Sequence, residues 1–232
     1  MDVPEHDEII RNIARVRERI AHAAGRAGRA EDAVTLIAVT KTIPPERIQA
    51  AYEAGIRDFG ENYVQEAMEK RRDSLLGWAD ARWHFIGHLQ SNKARDVAGR
   101  FAVIHSVDSV SLARALGKRA QAAGGSIDIL LEVKLDPSET KFGLAPQEIP
   151  TAIAHIEEIA GVTIRGLMGM PPYGSDPEDS RPYFRTLHTL FTQMSAQMQE
   201  ILSMGMTADF EIAVEEGATH LRVGTAIFGK RR

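Results

Sequence analysis

Eight short apolar runs, most of them separated by helical patterns, constrain this chain more than any other feature. The first, Val34–Val39, is bounded by charge and has the composition of a strand buried on both faces. Further strands are predicted near Asp58–Gly60, Arg82–Ile86, Ala102–His105, Ile127–Val133, Val162–Met168, Leu202–Gly205 and His220–Val223. The clearest helical patterns cover Ser109–Ala123, Pro146–Ile159 and Arg181–Ile201. The last carries Phe184, Leu187, Phe191, Met194 and Met198 on one face, read as core. After Thr42-Ile43-Pro44-Pro45 breaks the chain, another helix is expected to run to about Ala54. Strands alternating with helices imply a parallel sheet. Eight such units predict a single (β/α)8 TIM barrel, with an open doubly wound sheet as the alternative. Ile9, Ile13, Val16 and Ile20 add an N-terminal amphipathic helix, ended by Gly25 and Gly28.

No linker or long charge run divides the chain, so residues 1–232 read as one domain. A formal net charge of −4, from 28 basic and 32 acidic residues, gives no electrostatic reason to expect nucleic acid or an anionic membrane as partner. The absence of cysteine excludes disulfides, thiolate catalysis and cysteine-ligated metals, and fits a reducing compartment. The start, Met1-Asp2-Val3-Pro4-Glu5, is acidic and lacks the apolar stretch of a secretory signal, so the cytoplasm is the default location. A complete barrel has no open sheet edge, so a monomer is expected.

In parallel α/β folds, ligands sit at the C-terminal ends of the strands. There the sequence places Thr40-Lys41, Gly60-Glu61-Asn62-Tyr63, Gly87–Lys93, Met168–Pro172, Ser203–Thr207 and Arg222–Thr225. These polar and glycine residues share one predicted rim. Lys41 follows directly on an apolar strand, where partial desolvation favours the neutral, nucleophilic amine. The alternative is a lysine that snorkels to solvent. Gly205 and Gly224-Thr225 allow backbone amides near an anion, with hydroxyls from Ser203 and Thr225. They can equally be turn glycines. Gly224 to Lys230 partly resembles a phosphate-binding P-loop, but Arg231 stands where Ser or Thr is needed. His84 and His88 lie on a strand and a following loop, so they need not share a metal. Glu215-Glu216 reads as a solvated helix end.

The residues also carry a family resemblance. Ala38–Lys41, Phe59–Tyr63, Trp83–Lys93, His105–Asp108, Lys141–Gly143, Arg165–Met168, Leu202–Met206 and Arg222–Gly229 are similar, in order, to YggS-type pyridoxal 5′-phosphate (PLP) homeostasis proteins. These are relatives of the alanine racemase barrel domain. The resemblance implies that Lys41 holds PLP as a Schiff base and that Asn62 lies beside its ring. It further implies that Ser203, Gly224 and Thr225 hold the phosphate, and that Arg222 faces the pyridine nitrogen. Thr207 and Thr40 stand where serine is common, and both keep a hydroxyl; the loop Asp136–Thr140 is variable ground.

The function so implied is PLP binding in vitamin B6 homeostasis, with little catalytic activity. Apo PLP-dependent enzymes are candidate partners. A PLP-dependent amino-acid racemase is the main alternative. It would need a second acid/base group opposite Lys41, and the sequence offers only Tyr63 within the matched motifs, with no room for a further domain after the eighth strand unit. A barrel enzyme for sugar or nucleotide phosphates, using Lys41 without PLP, is the third reading.

Overall fold

The computed structural model describes all residues except 1–2, 71, 73–76, 137, 139–140, 175 and 231–232. Arg231 of the P-loop comparison, Met1 and Asp2 of the N-terminal reading, and Pro137, Glu139 and Thr140 of the variable loop lie outside the described residues.

Eight parallel strands close into a barrel in sequence order. They are β1 (Thr35–Val39), β2 (Asp58–Glu61), β3 (Arg82–Phe85), β4 (Val103–Val107), β5 (Ile127–Val133), β6 (Val162–Gly169), β7 (Ile201–Ser203) and β8 (His220–Val223). Pairing of β8 with β1, from Thr35↔His220 to Ala38↔Val223, completes the ring. The helices are α1 (Val3–Arg26), α2 (Pro45–Glu53), α3 (Val64–Lys70), α4 (Ala94–Val97), α5 (Val110–Ala122), α6 (Ile149–Glu157), α7 (Arg181–Thr192), α8 (Phe210–Glu215) and α9 (Thr225–Phe228). The closed barrel is the expected fold, and it excludes the open sheet.

The main core lies between sheet and helices, around Phe59, Phe85, Phe184 and Phe210. A separate apolar cluster of Val103, Leu130, Met168 and Ile201 belongs to the other face of the sheet. Side chains two apart on a strand share a face. Val103 therefore shares that interior with His105, Leu130 with Glu132, and Ile201 with Ser203. Among the described residues, no helix is long and apolar enough to cross a membrane.

Three local expectations change. The predicted helix over 181–201 ends at Thr192. Gln199 Nε2 takes up the loose carbonyls of Thr192 (3.2 Å) and Met194 (2.6 Å), and β7 starts at Ile201. Met194 and Met198 remain in the core although they lie beyond the helix. Gly25 does not stop α1, which runs to Arg26. The stop is Gly28, at φ 65°, where Arg29 N–H donates back to the Ala24 carbonyl (2.9 Å). Glu215 and Glu216 are not a solvated end. Arg181 pairs with both, at 2.7 and 2.6 Å, while Arg26 reaches Glu215 and Arg185 reaches Glu216.

The α1 helix packs on α8, α9 and α2, across the seam where β8 meets β1. Ile9, Ile13, Val16 and Ile20 form its buried stripe, and Asn12 donates to the Ile227 carbonyl (3.0 Å). Truncating a buried isoleucine costs about 2–5 kcal/mol. Ile13→Ala is expected to lower unfolding free energy by that amount in a denaturant titration, without altering the barrel's far-ultraviolet dichroism.

Candidate functional site

At the C-terminal end of β1, Thr40 N–H still pairs with the Gly60 carbonyl (2.9 Å). The chain then turns, with Ile43 N–H donating back to Thr40 O (3.0 Å). Lys41 is the second residue of this turn and Thr42 the third. Thr42 has φ 61°, a left-handed conformation that a β-branched residue adopts at a cost of about 1–3 kcal/mol. Thr42 N–H donates to the Glu66 carboxylate, which is paired with Lys70 (2.6 Å). Lys70 is itself buried and donates to the Thr40 carbonyl (2.6 Å) and to Glu61 (2.9 Å). Thr40 Oγ1 donates to the same Glu61 oxygen (2.6 Å). Burial raises the Glu61 carboxyl above its ordinary range, and Lys70 and the Thr40 hydroxyl oppose that rise. The turn bearing the half-buried Lys41 is thus clamped from β2 and α3.

Asn62 follows β2 on the same rim. Its Oδ1 is buried and has no hydrogen-bond partner among the described residues, which leaves an acceptor in need of a donor. The backbone beside it is fixed by Gly87, where an added Cβ would stand 2.1 Å from the Asn62 carbonyl oxygen.

Arg222, on β8, is 5% exposed. Its Nη1 donates to Ser203 Oγ (2.6 Å) and its Nη2 to the Gly169 carbonyl (3.1 Å). Burial pushes the guanidinium down to about 10, with Asp209 and Glu132 opposing, so it stays charged at neutral pH.

Gly224 caps the short helix α9, whose first residue is the exposed Thr225. Thr207 Oγ1 accepts from Ala226 N–H (3.2 Å), which joins the β7 and β8 loops. Ser203, which the resemblance assigns to the phosphate, lies on β7 itself. It is fully buried, and its hydroxyl is committed to Arg222 and to His105 Nδ1 (2.9 Å). The reason is that β7 ends at Ser203, and the next four residues climb to the rim and bring Thr207 to the α9 turn. Amides and hydroxyls around such a turn suit an anion. The structure therefore gathers Lys41, Asn62, Arg222, Gly224 and Thr225 at the strand ends and sets Ser203 beneath them.

Beside them, above β5 to β7, a cavity of about 540 Å³ opens between Glu132, Leu135, Phe142, Met170, Tyr173 and Met206. Lys41, Asn62, Arg222 and Thr225 are not among its lining residues. Glu132 is 6% exposed, and burial together with the Asp108 carboxylate raises it to about 7, against the pull of Arg222. A carboxyl of that kind can hold or release a proton near neutrality. Phe142, one of the lining residues, stacks on His88 with ring centroids 3.5 Å apart. His84 is instead an interior strand residue, hydrogen-bonded to Asp58 (2.9 Å) and His105 (3.0 Å). The two histidines do not converge, and no metal-holding cluster occurs among the described residues.

Sequence reasoning gave no role to Glu132, Lys70 or His105. For Glu132 and His105 the signal available was a polar residue inside an apolar strand run, which is rare unless the residue is partnered; Lys70, at the end of α3, carried no such signal.

The chain belongs to the alanine racemase N-terminal domain family, whose model matches residues 7–232. Its relatives in sequence include PLP homeostasis proteins. It is 43% identical over 223 residues to the pyridoxal phosphate homeostasis protein of Aquifex aeolicus, covering 95% of this chain and 97% of the relative. The protein of that name from Escherichia coli K12 is 38% identical over 228 residues, covering 97% of each chain. The solved structure of PipY from Synechococcus elongatus PCC7942, with PLP bound, superimposes with a TM-score of 0.81 at 38% identity, covering 95% of this chain and 100% of that one.

The raised Glu132 carboxyl makes stability depend on pH. Its ordinary value is 4.5, so the folded state holds the proton more tightly than the unfolded chain does. Its favourable contribution is full below about 4.5 and is lost as pH rises through about 7. The difference is on the order of 3 kcal/mol. Glu132→Gln is expected to be more stable than the parent at about pH 8, with the gap closing towards pH 4.5, in urea titrations at both ends.

Proposed function

We propose that this protein binds PLP as a Schiff base on Lys41 and serves intracellular PLP homeostasis. The observation that carries the reading is the rim itself. A clamped lysine, a buried acceptor at Asn62 and a buried cation at Arg222 share the barrel end with the Thr207–Ala226 link. The names of the relatives, and PLP in the PipY structure, support it.

These residues suit the cofactor's parts. Lys41 supplies the amine, and its strained, tethered turn limits where that amine can go. Thr207, Gly224 and Thr225 would hold the phosphate. Asn62 Oδ1 offers an acceptor beside the ring. Arg222 is a donor that stays protonated, so it opposes a proton on the ring nitrogen. Bound PLP supplies an electrophilic imine carbon and a conjugated ring that accepts electrons. A ring nitrogen kept unprotonated is a poor electron sink, which favours holding the cofactor over turning substrates over. A cytoplasmic monomer that hands PLP to apo PLP-dependent enzymes fits this assignment.

Borohydride treatment of PLP-loaded protein is expected to fix a phosphopyridoxyl group on Lys41, read by peptide mass spectrometry. A loaded protein without label at Lys41 would overturn the assignment. For the phosphate, Thr207→Ala with Thr225→Ala is expected to raise the PLP dissociation constant about tenfold or more, because each hydrogen bond to a charged group contributes roughly 1.5–3 kcal/mol. Affinity for pyridoxal without phosphate should scarcely change. Equal PLP affinity in mutant and parent would place the cradle elsewhere.

A further inference from the structure

A line of buried polar side chains runs through the barrel interior beneath Arg222. Arg222 Nη1 meets Ser203 Oγ at 2.6 Å, and Ser203 Oγ meets His105 Nδ1 at 2.9 Å. His105 Nε2 meets His84 Nδ1 at 3.0 Å, and His84 Nε2 meets Asp58 at 2.9 Å. Asp58 is paired with Arg82 at 2.8 Å, at the opposite end of the strands. Arg222, Ser203, His105, His84 and Asp58 are each no more than 6% exposed. Buried groups of this kind are costly unless every donor finds an acceptor.

The donor inventory gives the chain a direction. Arg222 can only donate, so Ser203 Oγ accepts from it. With Ser203 donating onward, His105 Nδ1 must be the bare nitrogen and Nε2 the protonated one. His105 then donates to His84 Nδ1, and His84 donates through Nε2 to the Asp58 carboxylate. Reversal would set a bare His84 nitrogen against that carboxylate, or require a cationic His84. Burial holds His105 well below an ordinary histidine, and His84 on the neighbouring β3 together with Arg222 and His220 on β8 act in the same direction. His220 is itself lowered to about 4, chiefly by burial.

We propose that His105 is a positioning residue for Arg222: the one-way chain Arg222→Ser203→His105→His84→Asp58 fixes where the guanidinium sits, and thereby sets the electronic state of the cofactor ring above it. His105 does not touch the ligand. It acts by accepting a hydrogen bond from the Ser203 hydroxyl, which turns the Ser203 lone pairs towards Arg222. The effect on the ring rests on the PLP reading; the chain itself does not.

Two measurements separate these. The first uses the full-length protein without PLP and records imidazole nitrogen–proton correlation spectra between about pH 5 and 8.5. His105 is expected as the neutral Nε2–H form throughout. A protonated Nδ1, or titration near the ordinary value of about 6.5, would overturn the chain. The second follows the absorption band of the Lys41 Schiff base against pH in the parent, Ser203→Ala, His105→Phe and His105→Asn. A displaced Arg222 lets the ring nitrogen take up a proton, which places positive charge in conjugation with the imine. Ser203→Ala and His105→Phe are therefore expected to move the band's pH midpoint down by about one unit. His105→Asn keeps an acceptor near Ser203 and should restore much of the parent midpoint. Loaded Ser203→Ala and His105→Phe proteins with an unmoved midpoint would reduce His105 to a packing role and overturn the proposal. If the parent itself shows no band with PLP, the cofactor reading fails, and the spectra of the unloaded protein still decide the chain.

Discussion

Pairing of β8 with β1 is the contact on which the rest of the molecule depends. It leaves no strand edge open, so the ladder can satisfy its backbone groups internally. It also sets Arg222 opposite Ile37 on the strand that carries the chain to Lys41. Without closure, the lysine at the end of the first strand and the arginine on the last would lie at opposite margins of a sheet. With closure they are neighbours. The α1 helix covers this seam from outside, which gives the N-terminal apolar stripe a structural purpose.

The barrel divides its interior by chemistry. Val103, Leu130, Met168 and Ile201 form an apolar patch, while Asp58, His84, His105, Ser203 and Arg222 form a polar line. A buried arginine is costly to desolvate, and among the described residues this one has no carboxylate as a direct hydrogen-bond partner: it leans on a hydroxyl and a carbonyl. An arrangement so expensive is best understood through what it places at the rim: a fixed cation with donors and no capacity to accept. The same logic applies at Lys41, where a strained threonine and the buried Lys70–Glu61 pair, joined by the half-buried Glu66, hold a single turn.

Much of this was legible in the chain. Apolar runs alternating with helical patterns specify parallel strands, and Lys41, Asn62 and Arg222 stand where strands end. Boundaries were less legible. Met194 and Met198 continue a helical spacing, yet the helix stops at Thr192 because Gln199 offers the backbone another partner. Ser203 looked like a rim residue because it sits one step from the glycine-containing loop. One step is enough to change a side chain's height in the barrel.

The sequence by itself determined the fold class, the family and the set of strand-end residues, because hydrophobic periodicity and local motifs act over a few residues. Tertiary structure decided which polar groups meet. His105 and Ser203 are 98 residues apart, and Asp58 and His84 are 26 apart. Their hydrogen bonds exist only because closure brings separate strands within 3 Å of one another through their side chains. The same holds for Glu132, which neighbouring residues in the chain leave an ordinary carboxylate. Burial in the closed barrel, with Asp108 nearby, is what lifts it to about 7.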